Sequence, residues 1–124
     1  MDEEKKLKMA RQITDALPTP DEIREDWGKL IVDTVLPAGV WSREGLSRRD
    51  RSLITVAALT VLYRPNELRL HLDRALNNGV TRKELGEVIM HLAIYGGFPT
   101  SVEGMHIAKE VFDARDKDDA KTAD

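Results

Sequence analysis

The chain has 124 residues, 41% apolar and 33% charged, with 19 Lys and Arg against 22 Asp and Glu for a net charge of −3. That length suits one domain with a core, yet it is short enough that self-association would help to bury apolar surface. The acidic balance leaves no basic footprint for nucleic acid and aromatic residues, at 5%, are too few for base stacking; the absence of cysteine excludes disulfides, thiolate metal sites and Cys-x-x-Cys redox chemistry.

The N-terminal stretch MDEEKKLKMARQ is charged and has no apolar signal region, so the expected location is the cytoplasm. Residues 2–17 can form a short helix carrying Leu7, Met9, Ile13 and Leu17, stopped by Pro18 and Pro20. From Asp21 the spacing of Ile23, Trp27, Leu30, Ile31, Thr34 and Val35 predicts a second helix that ends near Pro37, Gly39 and Val40. The irregular loop LPAGVWSREGL follows; its two glycines allow close approach, and Trp41 fits a packing anchor or a ligand contact.

Ser47 and Asp50 form a Ser-x-x-Asp start signal for a helix with Leu53, Ile54, Val56, Ala57, Ala58, Leu59, Val61 and Leu62, apolar on almost every side. Such a helix is buried in its domain or against another subunit, and it is too short and too interrupted to span a membrane. Arg43, Arg48, Arg49 and Arg51 crowd its start, where the helix dipole disfavours cations; salt-bridged surface and anion binding both remain open. Pro65 ends this helix near Tyr63 and opens the next, which closes at Asn77-Asn78-Gly79. Thr81 and Glu84 make a second capping box, opening a helix with Leu85, Val88, Ile89 and Leu92 on one face, expected from the short turn to be an antiparallel neighbour of the one before it. Gly96, Gly97 and Pro99 break that helix, and a last one runs from about Thr100 to Ala114 with Val102, Met105, Val111 and Phe112 available for packing. The charged tail 115–124 is expected to fray. There is no internal repeat and no strand-like alternation, so the fold class is all-α.

Arg64, Glu67, His71 and Arg74 fall within about one quadrant of their helix, beside an apolar stripe of Leu68, Leu72, Ala75 and Leu76. This places an acid, a base and cations at the edge of a core. His71 titrates near neutrality and Glu67 lies one turn earlier; spacing alone does not separate a catalytic histidine from one hydrogen-bonded to Glu67 at a helix interface. For Arg64 and Arg74 the choice is between a forked carboxylate contact and a surface salt bridge. His91 and Tyr95 lie four residues apart in line with Glu84 and Glu87 and are candidate substrate contacts, with a structural role open for His91 and His106 alike. The three histidines sit on three different helices without His-Glu-x-x-His spacing, so no metal site is expected, and neither a phosphate loop nor a Gly-x-Ser-x-Gly elbow is present.

The stretches LSRRDRSLITVAAL, ELRLHLDRALNNGVTRKEL and EVIMHLAIYGGFP strongly resemble the carboxymuconolactone decarboxylase family, from about Trp41 to Phe112, with HLxxALNNGVT as the most specific motif. The wider superfamily includes alkylhydroperoxidase D proteins, which carry Cys-x-x-Cys-x-x-x-His and an upstream glutamate. Counting back from His71, the two cysteine positions fall on Arg64 and Glu67 and the glutamate position on Ser52, so thiol peroxidase activity is not expected. The resemblance implies one alkylhydroperoxidase D-like bundle of about six helices over 1–124 with its core at about 41–112. It implies a homotrimer or homohexamer that acts without metal or organic cofactor. It also implies decarboxylation of 4-carboxymuconolactone to 3-oxoadipate enol-lactone in the β-ketoadipate pathway of aromatic catabolism, or decarboxylation of a closely related carboxylated lactone. On that basis His71 is the expected general acid, positioned by Glu67, with Arg64 and Arg51 on substrate carboxylates or the oxyanion and His91 and Tyr95 also contacting substrate. The alternative from another class is a non-catalytic oligomeric binding or scaffold protein with the same helical core.

Overall fold

The computed structural model describes residues 2–35 and 37–122, which form six α-helices and two short 3-10 turns, with no strand among them. The chain divides into two compact units, Met1–Leu46 and Ser47–Asp124.

In the first unit, α1 (Glu3–Ala16) begins at Asp2, whose carboxylate accepts from the Lys5 N–H at 2.8 Å, and α2 (Arg24–Thr34) follows a 3-10 turn at Asp21–Ile23. The two helices pack through Ala10, Thr14, Gly28 and Val32, all buried. Gly28 is what permits the close crossing: a Cβ there would lie 2.7 Å from the Ala10 carbonyl oxygen. Lys6 pairs with Asp33 at 2.9 Å, and Arg24 donates to the Thr14 carbonyl at 2.8 Å and to Asp15 at 2.9 Å. The expected irregular loop holds a 3-10 turn at Val40–Ser42, and its first residue, Leu36, lies outside the described residues.

The second unit is a four-helix bundle of α3 (Arg48–Val61), α4 (Pro65–Asn77), α5 (Arg82–Gly96) and α6 (Phe98–Thr122). Successive helices run antiparallel, and around the bundle α3 neighbours α4 and α5 while α6 closes against both of those; α4 and α5, expected from their short turn to pack as neighbours, lie instead across the bundle from each other because α3 and α6 come between them. Val56, Leu68, Leu72, Ala75, Val80, Leu85, Ile89, Ile107 and Ala108 form the core. The caps follow the sequence signals. Ser47 accepts from Asp50 N at 3.0 Å, and Thr81 and Glu84 complete a reciprocal capping box on α5. Glu84 also takes the guanidinium of Arg49, joining the start of α5 to the start of α3. At the end of α4, Gly79 (φ 94°) lets Val80 N reach Ala75 O at 3.0 Å and Gly79 N reach Leu76 O at 3.2 Å, a Schellman close.

Two details depart from the sequence reading. The α3–α4 turn makes the same kind of close, Arg64 N to Leu59 O at 3.0 Å, but its left-handed residue is Tyr63 (φ 56°) instead of glycine. The last helix also starts at Phe98 and continues to Thr122 instead of fraying after Ala114. Partners on other helices hold it: Arg115 bonds Asp73 at 2.7 Å and Asn77 at 2.5 Å, Arg82 bonds Asp116 at 2.7 Å, and Arg82 also stacks over Phe112 at 5.1 Å.

The nearly all-apolar α3 buries only Ser52, Val56 and Thr60, leaving Ile54, Val61 and Leu62 exposed. These belong to a larger apolar surface that gathers where α3 and α5 end and α4 and α6 begin, with Tyr63, Ile94 (75% exposed), Tyr95, Phe98 (71% exposed) and Val102. Among the described residues no helix is long and apolar enough to cross a membrane.

Candidate active site

Of the polar stripe expected on one flank of α4, Glu67, His71 and Arg74 lie on the helix, while Arg64 precedes it as the N-cap residue with non-helical φ −118° and ψ 76°. Glu67 and Arg74 are exposed and His71 between them is half-buried, with its Nδ1 shielded from solvent. Burial holds the His71 imidazole below its ordinary pKa of 6.5; the Arg74 charge one turn later lowers it further, and Glu67 one turn earlier opposes both. At neutral pH the ring is therefore predominantly uncharged, able to take up a proton from solvent and, once charged, to part with it readily.

The other candidates are distributed over three places. Arg51 is half-buried on α3, the helix antiparallel to the His71 helix. Arg64 precedes α4 and lines a cleft of only about 10 Å³ with Tyr63, Thr100, Glu103 and Gly104, a space that admits no lactone. His91 and Tyr95 form a pair of their own on the exposed side of α5, ring centres 5.1 Å apart and planes inclined by 40°. A wider open groove of about 420 Å³ runs along Leu53, Thr81, Lys83, Glu84, Glu87 and Val88; Glu84 there is already engaged by Arg49 and by the α5 cap, and none of the expected site residues lines it. Among the described residues no group of three His, Cys, Asp or Glu side chains could hold a metal ion.

One polar feature escaped the sequence reading. Asn78 Nδ2 donates to the buried Ser52 hydroxyl at 2.9 Å, tying the end of α4 to α3 beside Arg51. The partners are 26 residues apart in the chain, so no local signal announces the bond.

Comparison with known proteins adds to this geometry. The chain is 55% identical over 73 residues to the 4-carboxymuconolactone decarboxylase of Acinetobacter baylyi, covering 59% of this chain and 54% of the relative. It is 41% identical over 83 residues to a nitrosuccinic acid decarboxylase of Metarhizium robertsii, covering 66% and 58%, and 35% identical over 81 residues to an uncharacterized 15.0 kDa protein of Paracoccus denitrificans, covering 63% and 60%. The matched segment thus spans between 54% and 60% of the length of these relatives. Residues 32–110, which hold α3 to α5, the first half of α6 and the whole α4 stripe, match the family model, and the chain belongs to the carboxymuconolactone decarboxylase family.

Proposed function

We propose that the chain is the subunit of a decarboxylase acting on small dicarboxylates whose departing carboxylate sits beside an electron sink. The observation that carries the reading is the kinship to two relatives named as decarboxylases, joined to a half-buried histidine between a carboxylate and an arginine on one helix face. The two substrate names share a chemical frame: each is a succinate whose C2 bears an acceptor, a conjugated lactone in one and a nitro group in the other. 4-Carboxymuconolactone is the leading candidate for this chain, and succinates of that design are the wider class.

With the lactone, the ring carbon–carboxylate bond breaks and carbon dioxide leaves. The bond's electron pair passes through the ring alkene into the lactone carbonyl as an aromatic oxyfuran anion, and a proton on the carbon next to the carbonyl yields the enol-lactone. The substrate is its own electron sink. What the protein supplies is a cation for the retained carboxylate, stabilisation of the growing oxyanion and a placed proton. His71 as imidazolium donates that proton and is recharged from solvent, Glu67 favours the charged ring and Arg74 sharpens it as an acid. Arg51 is the carboxylate-binding cation; Arg64, on a cleft too small for a lactone, and the separate His91–Tyr95 pair on α5 are left out of this site. The exposed apolar end of the bundle supports assembly as a homotrimer or homohexamer.

The test is proton NMR of the purified protein with freshly generated 4-carboxymuconolactone and, separately, with nitrosuccinate. We expect rapid loss of substrate, with His71→Ala slower in kcat by about 10²- to 10⁴-fold while remaining folded. No turnover of either compound by folded wild-type protein would remove the reading and leave the scaffold role of the helical core.

A further inference from the structure

We propose that Asn78, acting through Ser52, is a positioning residue of the decarboxylase site, holding the Arg51 end of α3 at a fixed height against the His71 face of α4. The inference rests on the function proposed above. Glu67, His71, Arg74 and Asn78 follow one another at spacings of four, three and four, so Asn78 continues the site's own stripe to the helix end. Its backbone N–H bonds Arg74 O at 2.9 Å and Ala75 O at 3.1 Å, which fixes the base of the side chain. From there Nδ2 reaches the Ser52 hydroxyl at 2.9 Å, on a residue 1% exposed and next to Arg51 in the chain.

Alongside this bond the two helices share a connection and an apolar seam. At the turn end they are joined by the Leu62–Arg64 connection, and along their length Val56 packs with Leu68 and Leu72 in the core cluster. Apolar contact is non-directional, whereas a 2.9 Å hydrogen bond at the end remote from the turn fixes two named atoms against each other. Binding a carboxylate at Arg51 while a proton leaves His71 needs the two side chains at one separation. A displacement of about 1 Å in such an arrangement costs on the order of 100-fold in rate.

The experiment compares Ser52→Ala, Asn78→Ala and the double variant in the full chain with Ser101→Ala, which removes a buried 2.7 Å bond to Ile89 O between α5 and α6 and touches neither α3 nor the His71 stripe of α4. Steady-state rates on 4-carboxymuconolactone are expected to show kcat lower by about 10- to 100-fold in all three site variants, the double no worse than either single, with KM within about threefold. Ser101→Ala should lose comparable thermal stability and keep kcat within about twofold. Unchanged kcat in folded Asn78→Ala, or losses that multiply in the double variant, would overturn the proposal. If wild-type protein turns over nothing, the decarboxylase reading fails and the NMR titration of His71 decides instead: an equal displacement in the three site variants, absent in Ser101→Ala, supports the positioning role, and an unmoved titration ends it.

Discussion

His71 carries the sharpest residue-scale expectation. Its folded pKa is depressed from 6.5, first by burial and then by Arg74, so its NMR titration should fall below that value, move up toward it in Arg74→Gln and move further down in Glu67→Gln. The linkage to stability follows in sign. Between the folded and unfolded pKa the unfolded chain binds more protons, so the contribution of His71 is fully present above about pH 6.5 and is lost as pH falls through that window; His71→Asn should flatten this part of a melting-temperature profile. For catalysis the active form is the imidazolium, so kcat should decline as pH rises past the depressed pKa. The types and the helical spacing of Glu67, His71 and Arg74 were legible in the sequence, because a helix turns a spacing into a face. The burial that sets the sign of the shift was not, because it comes from segments packed over the ring and not from neighbours along the chain.

At the scale of elements, Tyr63 and Gly104 make opposite predictions, one from its backbone and the other from packing. Tyr63 pays the left-handed penalty that glycine escapes, so Tyr63→Gly should raise unfolding free energy by about 1 kcal/mol. Gly104 is the reverse case: a Cβ there would lie 3.0 Å from Ile89 Cγ2 and 3.1 Å from Thr60 Cγ2, where α3, α5 and α6 meet, and Gly104→Ala should cost about 1–3 kcal/mol. Urea denaturation of both variants checks the pair. Helix starts and stops were readable where a local device sets them, as at Ser47, Thr81 and the Asn77-Asn78-Gly79 close. The extent of α6 was not, since Asp73, Asn77 and Arg82, which hold its charged last turns, sit on two other helices. Tyr63 escaped notice for a related reason: Pro65 marked the turn, but nothing in the sequence marks a tyrosine as its left-handed residue.

At the scale of the whole molecule, burying a side chain such as Ile94 or Phe98 is worth about 1.5–3 kcal/mol, so leaving the apolar end of the bundle in water is costly. Light scattering should give a mass that is a multiple of 14.0 kDa, and Ile94→Arg should shift it toward the single chain; a wild-type protein of 14.0 kDa would remove the assembly proposal. The sequence allowed α3 to be buried in its own domain or against a neighbour; within the bundle it buries Ser52, Val56 and Thr60, and Ile54, Val61 and Leu62 stay exposed on the face that the assembly proposal uses. A different consequence follows from Gly97, the one residue between α5 and α6, at φ 97° and ψ 148°. A hairpin hinged on one residue closes almost no loop, so its contacts form at small entropic cost and belong among the earliest on the folding route. Strain introduced there is felt before the transition state is reached: Gly97→Ala should slow refolding after dilution from denaturant while leaving the unfolding limb nearly where it was, so the joint sets how fast the bundle is made more than how long it lasts.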